Sequence, residues 1–94
     1  MRIRHLDSDD QGEFQAVKDG FIVGEMNYYW ADDNTMVISS TKVRPEYENQ
    51  GIGKQLVGAS VNFARKKGLK IYPQCAFARA TFDRHFEYND VRKV

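Results

Sequence analysis

The chain has 94 residues, 41% hydrophobic, 13% aromatic and 29% charged, a balance that fits one globular domain over 1–94 and excludes a disordered or low-complexity segment. A net charge of +1 gives no global pull toward nucleic acid or an acidic membrane, no apolar run approaches the ~20 residues of a membrane span, and Met1-Arg2-Ile3-Arg4-His5 lacks the apolar core of a signal peptide, so neither nucleic acid nor membrane is an expected partner and the expected location is cytoplasmic. One cysteine, Cys75, excludes an internal disulfide, and without a Cys/His cluster no metal site is expected.

Arg2 to Leu6 reads as a short strand, followed by the polar stretch Asp7-Ser8-Asp9-Asp10-Gln11-Gly12, with pairing resuming at about Glu13. Asp19-Gly20 is a hairpin signal, since a type I′ turn needs positive φ at both central positions. Phe21 to Trp30 is then a long strand, expected to place Ile22, Gly24, Met26, Tyr28 and Trp30 on one face and Phe21, Val23, Glu25, Asn27 and Tyr29 on the other. After a turn at Ala31-Asp32-Asp33-Asn34, the β-branched run Thr35 to Val43 is a third major strand that Pro45 ends. From Gly51 the period changes to that of a helix, with Ile52, Leu56, Ala59 and Phe63 in one stripe and Val57, Val61 and Ala64 beside it.

Arg65-Lys66-Lys67 suits the negative helix end, with Lys70 completing a solvated basic cluster, and Gly68 is placed to cap in a left-handed conformation. Leu69 to Cys75 is a strand expected parallel to the one ending at Val43, because a strand, helix and strand in series form a right-handed crossover. Ala76 to Phe86 is expected as a short helix with Phe77, Phe82 and Phe86 facing inward.

The stretch with the most chemical content joins the third strand to the first helix: Val43-Arg44-Pro45-Glu46-Tyr47-Glu48-Asn49-Gln50-Gly51-Ile52-Gly53-Lys54. The first four N–H groups of a helix lack intrahelical partners and carry partial positive charge, so an anion settles there. Gly51 and Gly53 clear side chains from its approach and Lys54 adds a cation; the plainer alternative is a surface turn whose glycines only satisfy backbone geometry. Neither the dinucleotide-binding glycine pattern nor the P-loop pattern is present, so a phosphate grip of another kind is implied.

A meander, a strand running into Val-Arg-Pro-Glu-Tyr, and Gln-Gly-Ile-Gly opening a helix resemble the acetyl-coenzyme A site of the GNAT acetyltransferase superfamily. Ile3-Arg4-His5, Asp19-Gly20 with Gly24 and Tyr28, Thr41-Lys42-Val43, Gly68-Leu69-Lys70, Pro73-Gln74-Cys75-Ala76-Phe77 and Glu87-Tyr88-Asn89-Asp90-Val91 narrow the similarity to its short YjdJ-type members. The resemblance implies an α+β fold: an antiparallel β meander, then helix, parallel strand and short C-terminal helix, a minimal version of a three-layer α/β/α arrangement. It implies that coenzyme A is gripped by the amides of Gln50, Gly51, Ile52, Gly53 and Lys54 at the pyrophosphate and by main chain near Thr41 and Val43 at the pantetheine arm and acetyl group. This chain departs from the pattern at Glu48, where the superfamily prefers Arg or Gln, at Asn49, at Ser40, which replaces a His often found in the subfamily, and at Ala76 and Phe86, where Pro is common.

Acetyl transfer needs a deprotonated amine, an oxyanion donor and a proton for the leaving thiolate. The Val43 N–H is a candidate oxyanion donor, and Arg44 a candidate to steer the ribose phosphate. Cys75, between the last strand and the second helix, is read either as a small buried hydrophobe or as a functional group that lines the acyl pocket or carries the acetyl group, the helix dipole there favouring a thiolate. Tyr88 is either a proton donor or a pin holding the tail, and His5 and His85 are read as packing or surface residues. Three functions follow: N-acetyltransfer to an amine acceptor, a protein amine among the candidates, in a shallow open site; an acyl-coenzyme A sensing module without turnover; or an interaction domain that has lost the ligand.

Overall fold

The computed structural model describes residues 1–94. Four antiparallel strands, β1 (Arg2–Asp7), β2 (Gln11–Lys18), β3 (Phe21–Asp32) and β4 (Thr35–Val43), are followed by helix α1 (Ile52–Lys67), strand β5 (Lys70–Pro73) and helix α2 (Ala76–Arg84). The sheet runs β1-β2-β3-β4-β5, with β5 parallel to β4 as the crossover argument requires. Asp19 and Gly20 have φ of 52° and 83°, the two positive values of the type I′ hairpin. Gly68 caps α1 at φ 68°, and the N–H groups of Gly68 and Leu69 both donate to the Ala64 carbonyl.

The expected alternation along β3 holds for Gly24, Met26 and Tyr28 and fails at its start. Ala16 pairs with Gly24 but Val17 pairs with Ile22, so Val23 is an extra residue bulged out of the ladder. The bulge turns Val23 onto the core face, where it is fully buried, and moves Ile22 to the other face, 39% exposed. One extra residue reverses the parity of everything before it.

The core lies between one face of the sheet and both helices. Phe14, Ala16, Met26, Tyr28, Met36, Ile38 and Ile71 from the strands, Leu56, Val57, Val61 and Ala64 from α1, and Ala78 and Phe82 from α2 form a single cluster. Ser60 is also buried, so the centre of the α1 stripe falls on the Val57–Val61–Ala64 side, and Ala59 and Phe63 lie at its margin. Because α1 and α2 share this face, the expected third layer is missing and the opposite face of the sheet carries no helix.

Helix α2 ends at Arg84, and its inward stripe is Ala78, Thr81 and Phe82. Of the three Phe side chains expected inside, only Phe82 is; Phe77 is 41% and Phe86 79% exposed. Phe77 sits about 140° around the helix from Phe82, too far to share its face, and Phe86 lies beyond the helix end.

The basic cluster is not simply solvated. Arg65 pairs with Asp90 (2.9 Å) and donates to the Glu87 carbonyl, and Lys70 Nζ donates to the Asp90 carbonyl at 2.7 Å. These contacts hold the C-terminal tail beside β5, where Ile71 N–H donates to Val91 O and Lys93 N–H to Ile71 O. Asp90 is held below the usual carboxylate range chiefly by its hydrogen bonds from Arg65.

At the other end of the core, the Tyr28 hydroxyl donates to Asp7 Oδ1 (2.8 Å) and lies 2.6 Å from His5 Nε2, while Trp30 Nε1 donates to the same Asp7 oxygen at 3.1 Å. The His5 ring stacks on Phe14 at 4.0 Å and meets Phe63 edge-on. Gly12 faces Tyr28 across the β2–β3 ladder and has to lack a side chain, because a Cβ there would strike the Tyr28 hydroxyl.

Candidate functional site

The site begins with a second bulge. Asn27 pairs with Ser40 and Tyr28 with Ile38, so Ser39 is an extra residue in β4. On the other side, β5 pairs with β4 only from Thr35 to Ile38, and the N–H groups of Gln74 and Cys75 both turn back to the Ile38 carbonyl (3.1 and 3.0 Å). Past Ile38 the two parallel strands diverge and leave a slot in the sheet. The Arg44 N–H donates to Val23 O on β3. Successive peptides of an extended strand point to opposite sides, so the N–H groups of Val43 and Thr41 face the slot.

Below the slot, the chain makes a 3₁₀ turn at Pro45–Tyr47 and enters α1 through Asn49 (φ 65°) and Gly51 (φ 77°). Gly51 is the N-cap, and the first intrahelical bond runs from Gln55 N–H to Gly51 O at 3.1 Å. The N–H groups of Ile52, Gly53 and Lys54 therefore have no intrahelical acceptor. They open on a cleft of about 410 Å³ walled by Thr41, Val43, Tyr47, Glu48, Asn49, Gly51, Ile52, Gly53, Lys54 and Phe77. Anion-attracting amides, an extended strand with free N–H groups and an aromatic wall meet in one place, which is what a long ligand with a phosphorylated end and an amide-bearing arm requires.

The sequence model described as GCN5-related N-acetyl-transferase matches residues 13–91, taking in β2 to β5, the cleft and both helices. The chain belongs to the GCN5-related N-acetyltransferase family. The fold agrees. A GCN5-like protein from Staphylococcus aureus, solved in solution, is 30% identical over 96% of this chain and 87% of its own, with a TM-score of 0.73. An aminoglycoside acetyltransferase from an uncultured soil metagenomic sample, in complex with sisomicin, is 26% identical over 80% of this chain and 59% of its own, TM-score 0.67. An aminoglycoside N-acetyltransferase in complex with CoA shares the fold at 18% identity, 82% and 67% coverage and a TM-score of 0.60. No curated protein matches this chain.

In this family member the two glycines do different work. Gly51 supplies the left-handed cap and has nothing within 4 Å of where a Cβ would stand. Gly53 is helical, and the space its side chain would take is filled by the Phe77 ring, with Cζ 2.6 Å and Cε2 2.8 Å from an ideal Cβ. Phe77 is thus the wall residue that sequence reading placed in the core; its partner, the second residue of α1, could be found only in three dimensions.

Of the other singled-out residues, Thr41, Val43, Ile52 and Lys54 line the cleft, whereas Gln50 and Arg44 lie outside its walls. Cys75 is half-buried at the inner end: it is the N-cap of α2, accepts from the Ala78 N–H at 3.4 Å and lies 3.5 Å from Thr41 Oγ1. Tyr88 is away from the slot, stacked on His85 at 5.0 Å and packed on Phe82, with its hydroxyl near Gly58 of α1. His85 Nδ1 is 2.7 Å from the Thr81 carbonyl, one turn back on α2. Ser40 accepts from Asn27 Nδ2 at 3.0 Å on the helix-free face.

Proposed function

We propose that this chain binds acetyl-coenzyme A in the cleft and transfers the acetyl group to an amine. The observation that carries the reading is the divergence of β4 and β5 at the Ser39 bulge, which leaves the Thr41 and Val43 amides free along a channel beginning at the α1 N-terminus. The pyrophosphate would lie on the amides of Gly51 to Lys54, and the pantetheine arm along Thr41 and Val43 with Phe77 as the facing wall. When bound, acetyl-coenzyme A supplies an activated thioester.

The Val43 N–H donates to the thioester oxygen as negative charge develops there. Thr41 Oγ1 and Cys75 Sγ enclose the acyl group at the inner end. Cys75 has two available parts: a wall of the acyl pocket, or a nucleophile whose Sγ takes the acetyl group, passes its thiol proton to the departing coenzyme thiolate and yields the acetyl to the amine. Tyr88 is placed to pin the tail. The helix-free sheet face leaves the slot open to a large acceptor, a protein amine included, and the short YjdJ-type members of the superfamily are the subgroup we assign, on the Pro-x-Cys-x-Phe and Glu-Tyr-x-Asp-Val segments.

One observation favours a second reading, an acyl-coenzyme A sensing module: Glu48 stands in the cleft wall, where its charge opposes phosphate.

The test is calorimetric titration of acetyl-coenzyme A followed by mass spectrometry without acceptor. Binding lost in Gly51→Asp and an acetyl adduct on Cys75 are expected for the covalent route. Binding without adduct, and with acetyl transfer intact in Cys75→Ala, assigns Cys75 to the pocket wall. Binding with no transfer to any amine supports the sensor, and no binding sinks both readings.

A further inference from the structure

Two charged side chains stand in the wall of the cleft, and they are of opposite sign: Lys54 and Glu48. They do not neutralise each other, because the two ion pairs of the chain, Arg65–Asp90 and Arg92–Asp83, are both elsewhere. Of the other cations at this end of the molecule, Arg44 lies outside the walls, and Lys18 Nζ sits over the Tyr47 ring, 5.5 Å from its centroid. A pyrophosphate laid on the α1 N-terminus therefore meets backbone amides on one side and, around them, side chains with no net charge.

Glu48 is anchored by its backbone, whose N–H donates to Pro45 O at 3.3 Å, while its carboxylate makes no ion pair. The next residue, Asn49, has φ 65°, a left-handed value that turns the chain between the 3₁₀ turn and the Gly51 cap; both Glu48 and Asn49 line the cleft. Asn49 brings a neutral amide oxygen to the wall in which Glu48 brings an unpaired carboxylate. Oxygen donors of this kind beside a phosphate site suit a hard divalent cation. Magnesium is commonly held in that way, by one or two carboxylates together with the phosphates of a ligand and water. No group of three His, Cys, Asp or Glu side chains is placed to hold an ion by itself, so the remaining ligands have to come from the coenzyme.

We propose that the cleft takes coenzyme A as its magnesium complex, with the ion bridging the Glu48 carboxylate and the pyrophosphate. The inference rests on the coenzyme reading above. The helix amides take the pyrophosphate oxygens that face α1, and the ion takes oxygens that face Glu48. Glu48 then changes from a group that opposes phosphate into a ligand that draws it in. Metal and coenzyme complete each other's site, so each raises the affinity of the other by the same factor.

The test is calorimetric titration of coenzyme A at constant ionic strength, once in millimolar magnesium chloride and once in EDTA. Magnesium should lower the Kd of the parent about tenfold. Glu48→Gln should bind coenzyme A more tightly than the parent in EDTA, because a charge opposing phosphate is gone, and this shows that the variant folds; its response to magnesium should shrink to about twofold or less. Manganese in place of magnesium gives a second readout: broadening of the Glu48, Asn49 and Gly51 amide signals is expected with coenzyme A present and not without it. Equal Kd in magnesium and EDTA, an undiminished magnesium effect in Glu48→Gln, or broadening confined to the acidic turns at Asp9, Asp10, Asp32 and Asp33 would each overturn the bridge. Failure of coenzyme A to bind in either buffer removes the coenzyme reading, whereas binding that ignores the metal removes only this inference.

Discussion

Gly53→Ala tests whether the Phe77 ring owes its position to the missing side chain. The added Cβ would stand 2.6 Å and 2.8 Å from two ring carbons, closer than carbon atoms pack, so the ring has to move. It can, because Phe77 is 41% exposed and hangs from the first turn of α2. Full burial of a Phe contributes about 1.5–3 kcal/mol, so displacing a ring that is a little over half covered costs about 1 kcal/mol. Alanine in place of glycine in a helix returns about 0.5–1 kcal/mol. The two nearly cancel, and with about 4–8 °C per kcal/mol for a domain of this size, the melting temperature should stay within about 4 °C of the parent.

The ring forms one wall of the cleft, so with the ring displaced coenzyme A affinity should fall about tenfold while stability barely changes. Calorimetric titration and thermal unfolding on the parent, Gly53→Ala, Phe77→Ala and the double variant complete a cycle. With Phe77 removed, Gly53→Ala should stabilise by the full helix gain. If Gly53→Ala raises the melting temperature equally with and without the Phe77 ring, the two residues are not coupled and the assignment of Gly53 as a seat for the ring is wrong.

Glu48→Arg, on the exposed lip of the cleft, should tighten coenzyme A about fivefold at low ionic strength and less at 0.15 M salt, read by titration at both; an effect that does not shrink with salt would deny its electrostatic origin. Burial holds the His5 imidazole below its ordinary value of 6.5, with Asp7 partly opposing, so the unfolded chain takes up the proton first. Stability from this residue is full above pH 6.5 and is lost as pH falls toward the folded value; the melting temperature should drop between pH 7.5 and 5.5, and less so in His5→Gln, with parallel curves counting against the burial argument. Arg65→Gln should loosen the tail without unfolding the domain: hydrogen exchange at the Ile71 and Lys93 amides is expected to quicken about tenfold, with protection of the Val57 and Val61 amides unchanged.

Much of this was legible because some residues have one physical use. Asp19-Gly20 could be only a tight hairpin, Gly68 only a left-handed cap, and the change of period at Gly51 only the start of an amphipathic helix after strands. The cleft was legible for the same reason, since free helix N–H groups beside a glycine cap make an anion site in any fold. The errors share a cause as well. The Val23 bulge has no local signature, so strict alternation assigned Ile22 inward. The three Phe residues of the last segment were counted as core because they are apolar, although 77 and 82 project from different sides of a helix and 86 lies past its end. The basic run after Ala64 looked solvated because its partner, Asp90, is far along the chain.

Local chemistry, written in the sequence, determined the elements, their order, the parallel return of β5 and the glycine-capped helix start that opens on the cleft. Tertiary structure alone decided which groups face one another across that frame. It gave Gly53 to Phe77 and Gly12 to Tyr28, brought Cys75 to Thr41, opened β4 from β5 at Ser39, and left one sheet face bare with Glu13 and Gln15 side by side. Such pairings depend on strand register and helix placement, which the whole core fixes through packing, so no stretch of the chain carries them by itself.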